Sequence, residues 1–198
     1  RMSIRRIAML SVHTCPLAML GGKETGGMNV YVRDLSRELG RRGIAVDCFT
    51  RSQNPNIPRV STKLGPLGRV IHVPAGPEAP YDKNRIVDHL PQFVGGVQDF
   101  ARREGLRYDV IHSHYWLSGW AGVLLKEKLG LPLANSFHTL GRVKDLTRRA
   151  DQEPEGPIRA LTEEEVIARS DCVVASTPYE FEDLMEHYGA DPTRLCTS

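Results

Sequence analysis

Short apolar runs separated by longer stretches of helical period predict an open α/β sheet, mostly parallel, with helices on both faces. Three observations carry that expectation. β-branched runs alternate with segments whose apolar residues recur every three or four positions. Most connections are ten residues or longer, enough for the right-handed crossover that joins parallel strands. The first run, residues 6–12, is apolar without alternation, as in a strand buried on both faces. Together these describe a Rossmann-like sheet.

The elements follow in order. After the strand at 6–12 and a glycine-rich loop, Met28, Val32, Leu35 and Leu39 mark one face of a helix, closed by glycines 40 and 43. A second strand covers 44–50, and a polar loop covers 52–58. Residues 60–64 and 69–73 read as a hairpin or paired extension about Gly65-Pro66-Leu67-Gly68. Pro74, Pro77 and Pro80 make 74–84 an irregular excursion. Leu90, Phe93, Val97, Phe100 and Ala101 then form a helix face, with Pro91 in its first turn.

A strand at 109–114 is followed by a helix at 118–129 that Gly130 and Pro132 stop. Next come a strand at 133–137 and a helix carrying Leu161, Val166 and Ile167, with Glu163, Glu164 and Glu165 expected on its other face. A strand at 172–175, a helix at 178–188 and the start of another strand at 194–198 complete the chain.

Composition narrows the class. The 198 residues suit one domain, 40 % of them are hydrophobic, and the formal charge is +2. Such a chain is neither disordered nor a basic nucleic-acid arm. No apolar run nears the roughly 20 residues of a membrane span, and the N-terminus lacks the pattern of a signal peptide. Cys15, Cys48, Cys172 and Cys196 are scattered and form no Cys-x-x-Cys pair. The expectation is a reduced, cytoplasmic protein without a zinc knuckle or disulfide framework.

In open α/β sheets, ligands gather outside the carboxyl ends of the strands. Three segments there carry chemistry. Gly21-Gly22-Lys23-Glu24-Thr25-Gly26-Gly27-Met28-Asn29 leads into the first helix, where Gly26 and Gly27 let a phosphate approach the N-terminal amides. The segment is neither a Gly-x-Gly-x-x-Gly fingerprint nor a P-loop. His112-Ser113-His114-Tyr115-Trp116-Leu117-Ser118-Gly119 puts His112 and His114 on one strand face, with His138 at the same depth on the neighbouring strand. No acidic or cysteine ligand joins them, so hydrogen-bonded histidines are preferred to a metal site. Ser136-Phe137-His138-Thr139-Leu140 offers an imidazole and a hydroxyl to a sugar or phosphate. The basic residues after it (Arg142, Lys144, Arg148, Arg149, Arg159) alternate with Asp145, Asp151, Glu153 and Glu155, against a nucleic-acid stripe and in keeping with a solvated face.

With these segments in order, the chain resembles the N-terminal domain of family-4 retaining glycosyltransferases of the GT-B fold. The likeness rests on His13-Thr14-x-Pro16-Leu17, Gly26-Gly27-Met28-Asn29-Val30-Tyr31-Val32, Ala75-Gly76-Pro77, the segment from Tyr108 to Gly119, and His138-Thr139-Leu140. Asp183-Leu184-Met185-x-His187-Tyr188-x-Ala190-Asp191-Pro192 extends it. Thr25 and Glu24 stand where the family usually has an acidic residue close to the glycine pair.

The resemblance implies a transfer, with retention, from a nucleotide-sugar to a phosphorylated polyol or sugar, with inositol phosphate favoured as acceptor. It implies phosphate-binding positions at Lys83, Tyr115, Thr139 and Arg159, and positions facing the polyol ring at His13 and Asn29. Gly26 and Gly27 match the turn whose amide meets the donor diphosphate, and His138 matches the catalytic position beside the donor sugar. No metal or other cofactor is expected. The partners are small molecules rather than nucleic acid or a membrane, and the whole enzyme is allowed a homodimer. Residues 1–198 would be the acceptor-binding domain; a donor-binding domain lies outside this chain, which by itself is expected not to transfer sugar. Glu155 and Glu163 repeat the eight-residue spacing of the donor domain's acidic pair, but they precede the last strands and read as coincidence.

Three alternatives stand beside this. Related sucrose-phosphate synthases share the glycine pair and the His-x-His segment, and would use fructose 6-phosphate. A non-catalytic sugar-phosphate-binding module fits the same residues. A nicotinamide-dependent oxidoreductase would need the missing glycine fingerprint and an acidic residue where Arg51 stands.

Overall fold

The computed structural model describes residues 3–18 and 26–198. Its centre is an eight-stranded sheet of β1 (Arg6–Leu10), β2 (Ala45–Arg51), β3 (Val60–Ser61), β4 (Gly68–Val73), β5 (Val110–His114), β6 (Leu133–Ser136), β7 (Cys172–Ala175) and β8 (Leu195–Thr197). The strand order is β3-β4-β2-β1-β5-β6-β7-β8, and every pairing is parallel except β3 with β4. Helices α1 (Gly27–Arg41), α2 (Leu90–Glu104), α3 (Tyr115–Leu129), α4 (Gly141–Leu146), α5 (Pro157–Arg169) and α6 (Pro178–Tyr188) flank it.

Two apolar cores explain why the central strands read as continuous apolar runs. Ile7, Met9, Val46, Cys48 and Val70 bury one face of the sheet against Val32 of α1. Ala8, Leu10, Phe49 and Ile71 bury the other beneath Phe93, Val97 and Phe100 of α2 and Leu117 and Ala121 of α3. Burying each large side chain stabilises the fold by about 1.5–3 kcal/mol.

The chain builds outward from β1 to β4 on one side and then returns to β5 on the other. β1 and β5 are therefore neighbours at the topological switch point. The loops after β1, β5 and β6 open on the same end of the sheet, where such folds hold ligands.

Besides helix α4, which the sequence reading lacked, four details differ from that reading. Helix α1 runs through Gly40 to Arg41, and Gly43 (φ +83°) makes the turn beyond it. Helix α3 starts at Tyr115, three residues earlier than expected, because Tyr115 (φ +80°) turns the chain directly out of β5. On α5, Leu161 is 59 % exposed while Glu163 is fully buried, the reverse of the expected faces. The reason is polar: Glu163 accepts from a backbone amide of α4 and a hydroxyl of α6, and pairs with Arg159 of its own helix, as described below. Finally, a disulfide joins Cys172 to Cys196, with Cα atoms 5.9 Å apart. Scatter along the sequence hid this pair, because the parallel crossover through α6 brings β7 and β8 side by side.

Candidate functional site

Tyr115 is the hub. It is 5 % exposed at the first position of α3. A positive φ is unusual for a bulky residue, and such backbone persists only where its surroundings enforce it. Around its ring stand His13 from the end of β1 (centroids 4.5 Å apart), the Lys83 ammonium (5.8 Å) and the Arg159 guanidinium (4.9 Å). Arg159 donates from Nη1 to the Tyr115 hydroxyl (3.2 Å) and from Nη2 to Thr139 Oγ1 (2.9 Å) and the Thr139 carbonyl (3.1 Å). Four elements distant in sequence thus place two cations, a phenol and a hydroxyl together. Arg159 is 2 % exposed, so it does not belong to the solvated basic face on which the sequence placed it.

Burying a guanidinium costs several kcal/mol unless it is paired. Glu163 supplies the pairing, with Oε2 3.4 Å from Arg159 Nε. The same carboxylate accepts from the Gly141 amide (3.1 Å to each oxygen) and from the Tyr188 hydroxyl (2.8 Å). Gly141 has no room for a side chain: a Cβ there would lie 2.9 Å from Glu163 Oε1. Glu155 flanks Arg159 on its other side, 3.2 Å from Nη1, and also meets Lys144 Nζ at 2.7 Å. The acidic pair read as coincidental therefore brackets one arginine, four residues away in each direction along the chain. Burial pushes the Glu163 carboxyl up despite Arg159 beside it.

Next to Thr139 the backbone takes another left-handed step at His138 (φ +64°). The His138 ring meets His114 (Nε2 to Nδ1, 2.8 Å) and lies edge-on to Tyr31. His114 also touches Met9 Sδ, and His112 bonds Ser136 Oγ at 2.9 Å. Rings 112 and 114 are 4.2 Å apart, as strand alternation predicts. Among the described residues, no group of three or more His, Cys, Asp or Glu is arranged to hold a metal ion.

Burial holds all four imidazoles below their ordinary range. It brings His13 down to about 3, with Lys83 adding to the effect, His112 and His138 to about 4, and His114 well below its usual value. Unfolding restores a value near 6.5. Below that, the unfolded chain takes up protons that the folded chain refuses, so stability present above pH 6.5 is lost as pH falls toward 4. The thermal midpoint should drop steeply across pH 6.5–4, each such histidine contributing up to about 1.4 kcal/mol per pH unit. His112→Asn should flatten the slope. An unchanged profile in calorimetric scans would contradict neutral, buried rings.

Gly26 and Gly27 open α1. Among the described residues no side chain caps this N-terminus, its first turn holds no acidic residue, and no atom lies within 4 Å of a Cβ built at either glycine. On the side of the described residues, the N-terminal amides and the helix dipole are therefore open to an anion. Residues 19–25, with the upstream glycines 21 and 22, lie outside the described residues. A cleft of about 570 Å³ runs from Gly27 past Tyr31, His138, Thr139 and Lys144 to Thr177 and Glu180. The remaining residue of the predicted set, Asn29, is 2 % exposed and accepts the Thr14 hydroxyl at 2.8 Å. Asn29 Nδ2 and His13 Nδ1 are buried polar atoms without hydrogen-bond partners among the described residues. Buried polar atoms are normally satisfied, so such exceptions are where a ligand is to be looked for.

A larger cavity, about 760 Å³, lies beyond β1 and β2, lined by Arg51, Lys63 and His72 among Leu17, Ile57 and Val60. Its arginine donates to the carbonyls of Ser52, Pro77 and Ala79. The cluster around Tyr115 has the stronger chemistry, since there Lys83 and Arg159 stand beside a phenol and the Thr139 hydroxyl. The sequence reading missed Glu163, Glu155 and Lys144 as parts of it. Spacing of four residues either side of Arg159 was the available signal.

The Glycosyl transferase 4-like domain family matches residues 26–197. A D-inositol 3-phosphate glycosyltransferase from Xylanimonas cellulosilytica is 48 % identical over 192 residues, spanning 96 % of this chain and 46 % of that protein. One from Corynebacterium efficiens is 42 % identical over 190 residues, spanning 96 % and 45 %. The chain thus spans about half the length of these curated relatives. A sucrose-phosphate synthase structure from Thermosynechococcus elongatus superposes with a TM-score of 0.88 at 32 % identity, over 98 % of this chain and 47 % of that one. The Rossmann-like sheet with flanking helices is therefore that of half a GT-B fold, and the chain belongs to the glycosyl transferase 4-like domain family.

Proposed function

We propose that this domain is the acceptor-binding side of a retaining glycosyltransferase that moves a sugar from a nucleotide-sugar to a phosphorylated polyol, inositol phosphate above others. One observation carries the reading: Lys83, Tyr115, Thr139 and Arg159 converge beside His13. Two cations, a phenol and a hydroxyl suit a phosphomonoester, for which charge-assisted hydrogen bonds are the strong ones. His13 Nδ1 and Asn29 Nδ2, buried and unpaired among the described residues, are assigned to hydroxyls of the polyol ring.

The donor diphosphate is assigned to the open amides at Gly26 and Gly27, where the helix dipole favours the charge that grows as the glycosidic oxygen departs. His138 borders the same cleft and is assigned to the donor sugar. In this scheme the bond from the anomeric carbon to the diphosphate oxygen breaks and its bond to the acceptor oxygen forms on the same face. The acceptor proton passes to the departing diphosphate. The nucleotide is assigned to a second domain, as the greater length of the relatives supports.

No helix among the described residues is long and apolar enough to cross a membrane. Charged small-molecule substrates support a cytoplasmic site of action.

A panel of nucleotide-sugars against inositol 3-phosphate, fructose 6-phosphate and unphosphorylated inositol, run with the intact enzyme, tests the reading. The expected result is transfer to inositol 3-phosphate with the anomeric configuration kept. Preference for fructose 6-phosphate would move the protein to the sucrose-phosphate synthase type, and inversion would overturn the scheme.

A further inference from the structure

A guanidinium carries five N–H groups, and all five at Arg159 have partners. Nε faces Glu163, Nη1 faces the Tyr115 hydroxyl and Glu155, and Nη2 faces the Thr139 carbonyl and hydroxyl. With the side chain 2 % exposed, an arriving phosphate reaches this arginine only by replacing one of them. Four are fixed in place. Glu163 is fully buried and tied to Gly141 and Tyr188, Tyr115 is packed into the first turn of α3, and the two Thr139 oxygens sit on the enforced turn after His138.

Glu155 differs. Its side chain is 22 % exposed, and it lies in the short stretch between α4 and α5. Its amide is anchored to Asp145 Oδ1 at 2.9 Å, so its carboxylate can rotate away without moving the backbone. While in place, it neutralises two cations at once, Lys144 at 2.7 Å and Arg159 at 3.2 Å.

We infer that Glu155, held between Lys144 and Arg159, is a built-in anion that occupies the phosphate's place on Arg159 and must be displaced by a phosphorylated acceptor. This rests on the acceptor reading above and adds a selectivity device to it. A phosphate dianion brings more charge and more oxygens than the carboxylate it replaces, so the exchange favours it. An unphosphorylated polyol brings no charge and leaves Glu155 where it is. The device sets a threshold that only a strong anion passes.

Calorimetric titration of the intact protein with inositol 3-phosphate and with unphosphorylated inositol tests this. Glu155→Gln keeps the size and removes the charge. It should tighten inositol 3-phosphate binding about 3- to 10-fold, the scale of a partly exposed ion pair, and leave inositol within about twofold. Glu155→Ala should act in the same direction, which covers an amide that finds new partners. Phosphate binding that is unchanged or weaker in both variants would overturn the proposal.

Lys83→Ala separates this from the reading beneath it. A loss confined to the phosphorylated ligand upholds the acceptor site, so a negative result with Glu155 then counts against Glu155 alone. Equal losses for both ligands would remove the acceptor site and this proposal with it.

Discussion

Arg159→Ala is expected to weaken inositol 3-phosphate binding about 100-fold while changing the affinity for unphosphorylated inositol by no more than a few-fold. A hydrogen bond to a charged group contributes about 1.5–3 kcal/mol, and Arg159 directs two nitrogens toward Tyr115 and Thr139. The same variant should lose about 3 kcal/mol of stability, because Glu163 would remain fully buried without its cation. Burial already raises the Glu163 carboxyl, and removing Arg159 raises it further. A carboxyl raised above its unfolded value favours the folded state at low pH and loses that advantage as pH rises through its folded value. The thermal midpoint of Arg159→Ala should therefore recover relative to wild type as pH falls toward 5. Chemical denaturation at pH 5 and pH 8 measures this. A deficit that is the same at both values would show that Glu163 does not depend on Arg159.

His138→Ala is expected to lower kcat of the intact enzyme about 100-fold, the scale seen when one group that stabilises developing charge is removed. Acceptor affinity should change less than threefold, because three of the four residues proposed to hold the phosphate (Lys83, Tyr115 and Arg159) lie outside the cleft that His138 shares with Gly27 and Thr139. Its ring is neutral at pH 7, with burial holding it down to about 4, and its bond to His114 requires one ring to donate and the other to accept. A second variant separates chemistry from backbone. At φ +64° alanine keeps the strain, whereas glycine adopts that conformation freely. His138→Gly should be the more stable of the two and equally slow. A glycine variant with wild-type turnover would show that the left-handed backbone, and not the imidazole, is what the position supplies.

Most of the fold was legible because it is built from local signals. Apolar runs gave the strands, and Gly130 (φ +65°) closes α3 where the sequence placed its end. The start of α3 was not legible, since nothing local marks Tyr115 as a residue that adopts positive φ. Helix α4 was missed for a similar reason. It is six residues long, and its first amide is held by Glu163 from another helix.

The site shows the same division. His13, Lys83, Tyr115, Thr139 and Arg159 were assigned by resemblance, and the fold brings them together. Glu163 was not, because a carboxylate among three acidic neighbours reads as solvated until its partners in α4 and α6 are known. Glu155 and Lys144 were read as surface charges; what ties them to the site is a shared ion pair across ten residues of irregular chain.

The central claim is where the phosphate sits, and a crystal structure of the protein with inositol 3-phosphate tests it directly. The account predicts phosphate oxygens within hydrogen-bond reach of Lys83 Nζ, Tyr115 OH, Thr139 Oγ1 and Arg159, with the ring against His13 and Asn29. Phosphate found instead in the cavity lined by Arg51, Lys63 and His72 would contradict it.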